Sequence, residues 1–310
     1  KKSRISLWAH HAIRFLHSIL LILLFILGCI RILIKWTIMV WQGPDPITIF
    51  KGELTEEKVV GFKNRKIKLD HVKQVGKRYH TTVNDVLMSC FAGALDRYSR
   101  RNSSAHSALL LKGGDKSVGG TSMSDRSTTN QMMVRLSIPV NIRTNLNEMM
   151  TPSNKFGFMV CRLPLGVSDA LVRLKQIKRE MDYNKQLPEQ VFSYYVGLVT
   201  GYILPKHVVK NTFNLLSSYQ TAVMTNIRGP PSQISMNGVK VLDIWAFAPQ
   251  PGGVSVGSLI LSYNGYLNVT VVGDRKLLPD AHVLARYMIE EFQALYQMVK
   301  TQDEAVKPTE

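Results

Sequence analysis

The chain has 310 residues, 45% hydrophobic and 20% charged, which is apolar enough for a sizeable core and excludes wholesale disorder. The formal charge of +17 suggests nucleic acid, yet residues 1–80 hold 15 Lys/Arg against 5 Asp/Glu, so the excess flanks the most apolar segment. That distribution fits an anionic membrane surface rather than a DNA groove, and no nucleic-acid partner is expected. Cys29, Cys90 and Cys161 lie too far apart in sequence for a zinc ribbon or a disulfide framework. A first residue of Lys1 rather than Met reads as a fragment or a processed product.

Between Arg14 and Arg31 stand sixteen uncharged residues, including the run Ile19–Leu27. At ~1.5 Å per helical residue they cover roughly 24 Å, short of the ~30 Å hydrocarbon core. Arg31 and Lys35, four apart on one helical face, extend the stretch to Trp41 if their charges snorkel, with Trp8, Trp36 and Trp41 at interfaces. Residues 1–46 are therefore expected to be a membrane-associated or transmembrane segment. A buried helix of a soluble domain is the competing reading, and a secretory signal fits less well because no small-x-small site follows. Gly43-Pro-Asp-Pro46 breaks the helix and opens a lobe over 47–300, with a frayed tail at 301–310.

Within the lobe, alternation over 63–69 predicts an edge strand, followed by a short helix over 70–79. Thr82-Val-Asn-Asp85 is a capping box opening a helix with Val86, Leu87, Cys90, Phe91, Ala94 and Leu95 on its apolar face. Residues 101–131, rich in Ser, Gly, Thr and Asn, read as a mobile surface loop. Strands are expected at 134–142 and 157–165, then a helix from Ser168, its cap, to Leu187, and helices at 188–201 and 205–218. The period then changes to two, predicting strands at 221–227, 239–247 and 256–272, the last split by Tyr263-Asn-Gly-Tyr266 into a hairpin. A helix over 280–300 closes the chain. The fold class is mixed α/β, helices packed over a sheet.

No HExxH and no His/Cys pair at ligand spacing occurs, so no metal site is expected. His10-His11 precede the apolar segment and fit an interfacial role. Asn102-Ser-Ser104 and Asn268-Val-Thr270 match the glycosylation pattern, the second within a predicted strand.

Thr82-Val-Asn-Asp-Val-Leu-Met-Ser-Cys-Phe-Ala-Gly-Ala-Leu95 resembles the wax ester synthase/diacylglycerol acyltransferase family, with Asn84-Asp85 matching its Asn-Asp motif. Pro139-Val-Asn-Ile-Arg143 is similar to its Pro-Val-x-x-Arg strand, and Asn154-Lys-Phe-Gly157 to its Gly-Asn segment, with Ser153 in place of the glycine. Thr225-Asn-Ile-Arg-Gly-Pro230 is similar to its Ser-Asn-Val-Pro-Gly-Pro motif, and Ser262–Leu267 with Asp274 to its terminal hairpin. The five fall in the family's order and cover its C-terminal half.

The resemblance implies a chloramphenicol-acetyltransferase-like, CoA-dependent acyltransferase lobe behind a hydrophobic membrane helix. It further implies acyl-CoA as substrate, a long-chain alcohol or diacylglycerol as acceptor, and no cofactor. A membrane location follows, the endoplasmic reticulum or the plasma membrane. The family's general base is the second His of His-His-x-x-x-Asp-Gly. This sequence has no Asp-Gly, so no catalytic residue is assigned in the chain, and the chain alone is expected to be inactive. Asn84 and Asp85 form the supporting motif, with Arg143, Asn154, Gly157, Asn226, Gly229 and Pro230 as substrate- or CoA-binding candidates. The residues themselves leave alternatives. Asp85 is a helix cap or a functional group; Asn84 is a buried amide reaching a tunnel loop. Asn226, Gly229 and Pro230 also read as turn chemistry, Arg143 as solvent-facing or CoA-contacting, and Arg135 and Arg228 as solvated. A non-catalytic, membrane-anchored lipid-binding or scaffold relative is the alternative function.

Overall fold

A computed structural model describes residues 2–45, 48–55, 57–112, 132–143, 154–250 and 252–306. The order is α1 (Lys2–Gln42), β1 (Lys58–Lys68), α2 (Leu69–Arg78), α3 (Val83–Lys112), β2 (Met132–Asn141) and β3 (Phe156–Leu165). Then come α4 (Ala170–Lys185), α5 (Glu189–Ile203), α6 (Lys206–Ser218), β4 (Ala222–Arg228), and the two-residue strands β5 (Ser235–Met236) and β6 (Val239–Lys240). β7 (Val256–Tyr263), β8 (Tyr266–Asp274) and α7 (Ala281–Val306) complete the chain. Six strands form one mixed sheet in the order β1-β8-β7-β4-β2-β3. β7, β4 and β2 run parallel, while β1, β8 and β3 join by antiparallel pairing.

Side-chain alternation gives the sheet two unlike faces. Val134, Leu136, Met159, Cys161 and Leu163 point into the main core, where they join Val72, Phe91, Leu174 and Phe292 from α2, α3, α4 and α7. At the junction of α3, α4 and α7 the buried Arg173 donates to Ser89 O at 2.9 Å and Val167 O at 2.7 Å, and pairs with Glu291. On the opposite face, Ser137, Phe158 and Val160 look toward α1, α5 and α6. Farther along, Leu259, Leu261 and Tyr263 meet Val241, Ile244 and Ala246 of an irregular segment. The hairpin between β7 and β8 turns at Asn264 (φ 47°) and Gly265 (φ 78°), the left-handed pair a type I′ turn requires.

The apolar stretch Arg14–Gln42 is long and apolar enough to cross a membrane, and almost none of it is buried. Its two ends differ. Phe15 to Leu27 are bare, whereas Gly28, Ile32 and Met39 are buried, one stripe at helical spacing that packs on the lobe. A Cβ at residue 28 would lie 2.8 Å from Pro188 Cδ, so glycine permits the approach of α1 to the start of α5. Lys35 does not snorkel. Its Nζ reaches Glu189 Oε2 at 2.6 Å, Asn184 Oδ1 at 2.7 Å and Val160 O at 2.6 Å. Trp36 donates to Glu189 Oε1 at 2.9 Å and sets its ring edge-on against Phe192 rather than lying at an interface. The division expected at residue 46 thus cuts through a packed joint.

Past the helix, Gly43 (φ 75°) ends α1 and Asp45 anchors the turn, accepting from Arg135 N at 2.8 Å and Thr221 Oγ1 at 2.6 Å. Arg135 is not solvated: its Nη1 donates to Gly43 O at 2.7 Å and its Nη2 to Gln42 Oε1 at 3.0 Å.

Four other expectations are corrected. The loop placed at 101–131 begins as helix, since α3 continues to Lys112; Ala105, Ala108 and Leu109–Leu111 sustain it past the weak formers Asn102–Ser104, and 113–131 lie outside the described residues. The tail is helical through Val306. The cap of α4 is Asp169, accepting from Leu171 N and Val172 N, while Ser168 accepts from Arg100. The strand at 239–247 shrinks to β6, because Ile244 and Ala246 spend their carbonyls on the Asn268 and Thr270 side chains. Asn268 itself is buried by this contact, inaccessible to glycosylation.

Candidate functional site

Parallel strands send their carboxyl ends to one edge, the usual location of ligands in open α/β sheets. Here that edge carries the ends of β2, β4 and β7. Arg143 follows β2, and Ile142 N donates to Lys155 O at 3.3 Å, which puts Arg143 and Asn154 beside each other at the β2–β3 end. Asn226 lies two residues before the end of β4, paired with Ile260 on β7. Asn84 enters this edge from the first turn of α3, and its Oδ1 accepts from Asn226 Nδ2 at 2.7 Å. Two residues 142 positions apart in sequence, from separate motifs, are joined directly. Both are exposed, so Asn84 is not the buried amide expected, and the pair presents its remaining amide groups to solvent.

The other candidates divide. Asp85 is buried and forms the reciprocal half of the capping box, accepting from Thr82 N at 2.8 Å while Thr82 Oγ1 accepts from Asp85 N at 3.3 Å. Lys185 Nζ lies 3.4 Å from its other oxygen. The geometry favours the cap. Gly157 is buried where the α5 backbone crosses β3, since a Cβ there would overlap Gln190 O. Gly229 similarly fits against Ser262 O, its N–H donating to Ser262 Oγ at 3.2 Å, and Pro230 O accepts from Asn264 N at 3.0 Å. These three hold the edge in shape. Arg143, Asn154 and Arg228 remain available at it: Asn154 and Arg228 are exposed, and Arg143 is half-buried with its Nε making no hydrogen bond among the described residues. Asp274, at the far end of β8, accepts from Thr55 N at 2.7 Å and Lys276 N at 3.0 Å. Burial pushes its pKa up, but these bonds and Lys58 outweigh burial and hold it below the usual carboxylate range.

No group of three His, Cys, Asp or Glu among the described residues could hold a metal ion. His71 stacks on Tyr296 at 4.1 Å, and burial with Lys68 nearby lowers its pKa. Burial raises the Cys90 thiol to about 12 and the Cys161 thiol further, so neither is a nucleophile near neutrality.

A feature not anticipated from sequence is an apolar cavity of about 230 Å³ on the second face of the sheet. Trp36 and Met39 of α1, Phe158 and Val160 of β3, and residues of α5 and α6 enclose it. The signal was present in the uncharged run 190–205, which is as greasy as the end of α1.

Residues 153–296 match the family model described as "WS/DGAT C-terminal domain". The chain is 27% identical over 255 residues to wax ester synthase/diacylglycerol acyltransferase 8 of Arabidopsis thaliana, covering 76% of this chain and 49% of that protein. It is 22% identical over 284 residues to the O-acyltransferase WSD of Acinetobacter baylyi, covering 86% and 54%. The wax ester synthase/diacylglycerol acyltransferase of Marinobacter aquaeolei VT8 shares the fold, with a TM-score of 0.55 at 19% identity, over 87% of this chain and 56% of that one. The chain spans about half the length of the curated relatives it matches.

Proposed function

We propose, from the match of residues 153–296 to the WS/DGAT C-terminal domain model, that the chain is the acceptor-side lobe of a membrane-bound O-acyltransferase. The reaction moves a fatty acyl group from acyl-CoA to a long-chain alcohol or diacylglycerol, in the endoplasmic reticulum or plasma membrane. The observation that carries the reading is the Asn84–Asn226 bond, which joins two of the family-like motifs at an exposed strand-end edge. Arg143 and Arg228 give the same edge positive charge suited to CoA phosphates. α1 suits the reaction, since acceptor and ester product both partition into lipid.

Within this reading the lobe orients substrate and the proton is removed elsewhere. A hydroxyl is a poor nucleophile at neutral pH, and a positioned base is worth roughly 10²–10⁴ in rate. No histidine stands in this sequence's family-like motifs, so the base comes from a His-His-x-x-x-Asp-Gly element. Sequencing the transcript across and beyond the Lys1 codon tests this. An in-frame His-His-x-x-x-Asp-Gly run supports the enzyme, and its absence leaves the lipid-binding scaffold. Purified 310-residue chain, given radiolabelled acyl-CoA with dodecanol or diacylglycerol, should form no ester; ester formation dependent on one of its own histidines would overturn the division of labour.

A further inference from the structure

Three contacts fix the direction in which α1 leaves the lobe. Just after its end, Asp45 is held by Arg135 N and Thr221 Oγ1, at the starts of β2 and β4. Halfway along, Lys35 reaches Val160 O in mid-sheet, where Val160 pairs with Ser137. Gly28 then packs on Pro188, just past α4, whose last residue Lys185 lies 3.4 Å from Asp85 in the first turn of α3. The helix thus climbs from the opposite edge of the sheet to the motif edge. It is unbroken, so the bare residues Phe15–Leu27 continue beyond the motif edge for roughly 20 Å.

The two edges of the sheet differ in charge. On the motif edge Lys68 ends β1 opposite Tyr266, Arg228 ends β4, Arg143 follows β2 and Lys185 ends α4. Arg31 of α1 joins them, its guanidinium over the Tyr183 ring at 5.7 Å. Arg31, Lys68, Lys185 and Arg228 are exposed. The carboxylates among them are engaged: Asp85 is buried in its capping box, while Asp70 and Asp182 pair with Lys73 and Lys178 of their own helices. At the opposite edge, cations are matched by acids, with Glu53–Lys276 and Glu57–Arg275 at 2.7 Å and Lys58–Asp274 at 3.3 Å. Exposed Phe156 and Ile227 add apolar surface to the motif edge, and Tyr183 adds a ring of the kind that sits at membrane interfaces.

We propose that the motif edge is the lobe's membrane-facing surface, and that Arg31, Lys68 and Lys185 with Arg228 hold anionic phospholipid headgroups against it. Direction decides between a lipid surface and a soluble polyanion, since the excess cations lie on the side toward which the apolar helix points. The row crosses all six strands, roughly 24 Å, which suits an array of headgroups rather than one phosphate. The inference rests on the membrane-bound reading and supplies the partner of the motif edge; it requires no acyl transfer.

Proximity to lipid tests it. With Cys29→Ser, the buried Cys90 and Cys161 stay out of reach of a label, and one new cysteine carries a donor dye. Asn154→Cys places the dye at the motif edge and Glu53→Cys at the opposite one, roughly 33 Å away along the ten residues of β2. Each full-length chain enters phosphatidylcholine nanodiscs doped with acyl-labelled acceptor phosphatidylserine or, at the same mole fraction, acyl-labelled phosphatidylcholine. Energy transfer from the Asn154→Cys dye should be at least twice that from the Glu53→Cys dye. It should also be greater to phosphatidylserine than to phosphatidylcholine. Raising salt to about 1 M, or combining Arg31→Gln with Lys68→Gln, should abolish that lipid preference and preserve the order of the two dyes. Transfer from the Glu53→Cys dye equal to or above that from the Asn154→Cys dye overturns the orientation. Equal transfer to the two lipids overturns the headgroup site. Either result defeats the proposal while the membrane-bound reading stands, whereas a chain that fails to co-elute with the discs defeats both.

Discussion

Asn84 and Asp85 are neighbours in one helical turn with opposite physical roles. Asp85 is buried and closes the capping box, so Asp85→Ala should lower stability by about 1–2 kcal/mol, visible as an earlier denaturation midpoint. Asn84 is exposed and bonded to an exposed partner, so Asn84→Ala should leave the midpoint nearly unchanged. In the complete enzyme, Asn84→Ala and Asn226→Ala should both reduce turnover, by similar factors if the pair acts as one unit. Unchanged turnover in both would reduce the contact to surface decoration. Asp274 permits a pH prediction with a definite sign. Its folded pKa is held below the unfolded value of ~3.9, so its contribution is fully present above about pH 4. It is lost as pH falls through the folded value. Asp274→Asn should therefore melt earlier than the parent at pH 7, and the gap should narrow as pH drops below 4.

At the scale of elements, the joint between α1 and α5 dominates. Glu189 is fully buried and its partner Lys35 partly so. Removing one member of a buried pair strands the other charge, at a cost of about 3–5 kcal/mol. Lys35→Met should be strongly destabilising in a thermal melt in detergent, and adding Glu189→Gln should restore much of the loss. Additive losses in the double variant would mean that the two charges are not coupled. Truncation tests the same joint. Removing residues 1–27 keeps the clamped stripe from Gly28 onward and should leave the lobe folded. Removing 1–46 should not, since it also takes Ile32, Lys35, Met39 and Asp45. Limited proteolysis of the two truncations should show a resistant core in the first alone.

For the molecule as a whole, the chain should stay with membranes through alkaline carbonate extraction, and release into the supernatant would refute anchoring by α1. Most elements of the lobe were legible because their periods are local. Asn264-Gly265 announced its hairpin, and the capping box opened α3 as expected. What stayed hidden was set by contacts distant in sequence. Lys35 and Glu189 are 154 positions apart, and each alone reads as a stray charge in a greasy helix. Reading the two strays together would have exposed the pairing, because burial of either without the other is prohibitive. Gly157 and Gly229 read two ways in sequence for a similar reason: glycine admits a close backbone as readily as a ligand, and the backbones of Gln190 and Ser262 lie against them. The strand ends facing the edge were placed correctly by sequence, but the bond between Asn84 and Asn226 needed the parallel register of β2, β4 and β7 to bring them together.

The 41-residue α1 runs without a break from its bare end into the stripe clamped by Gly28, Ile32, Lys35 and Met39. Mechanically it is a mast stepped into the hull, with no hinge between the bare part and the part that holds the sheet. In a bilayer, any tilt of the outer turns swings the lobe through the same angle. A thinner membrane, which makes a long helix lean, would therefore lower one flank of the lobe toward the headgroups and raise the other.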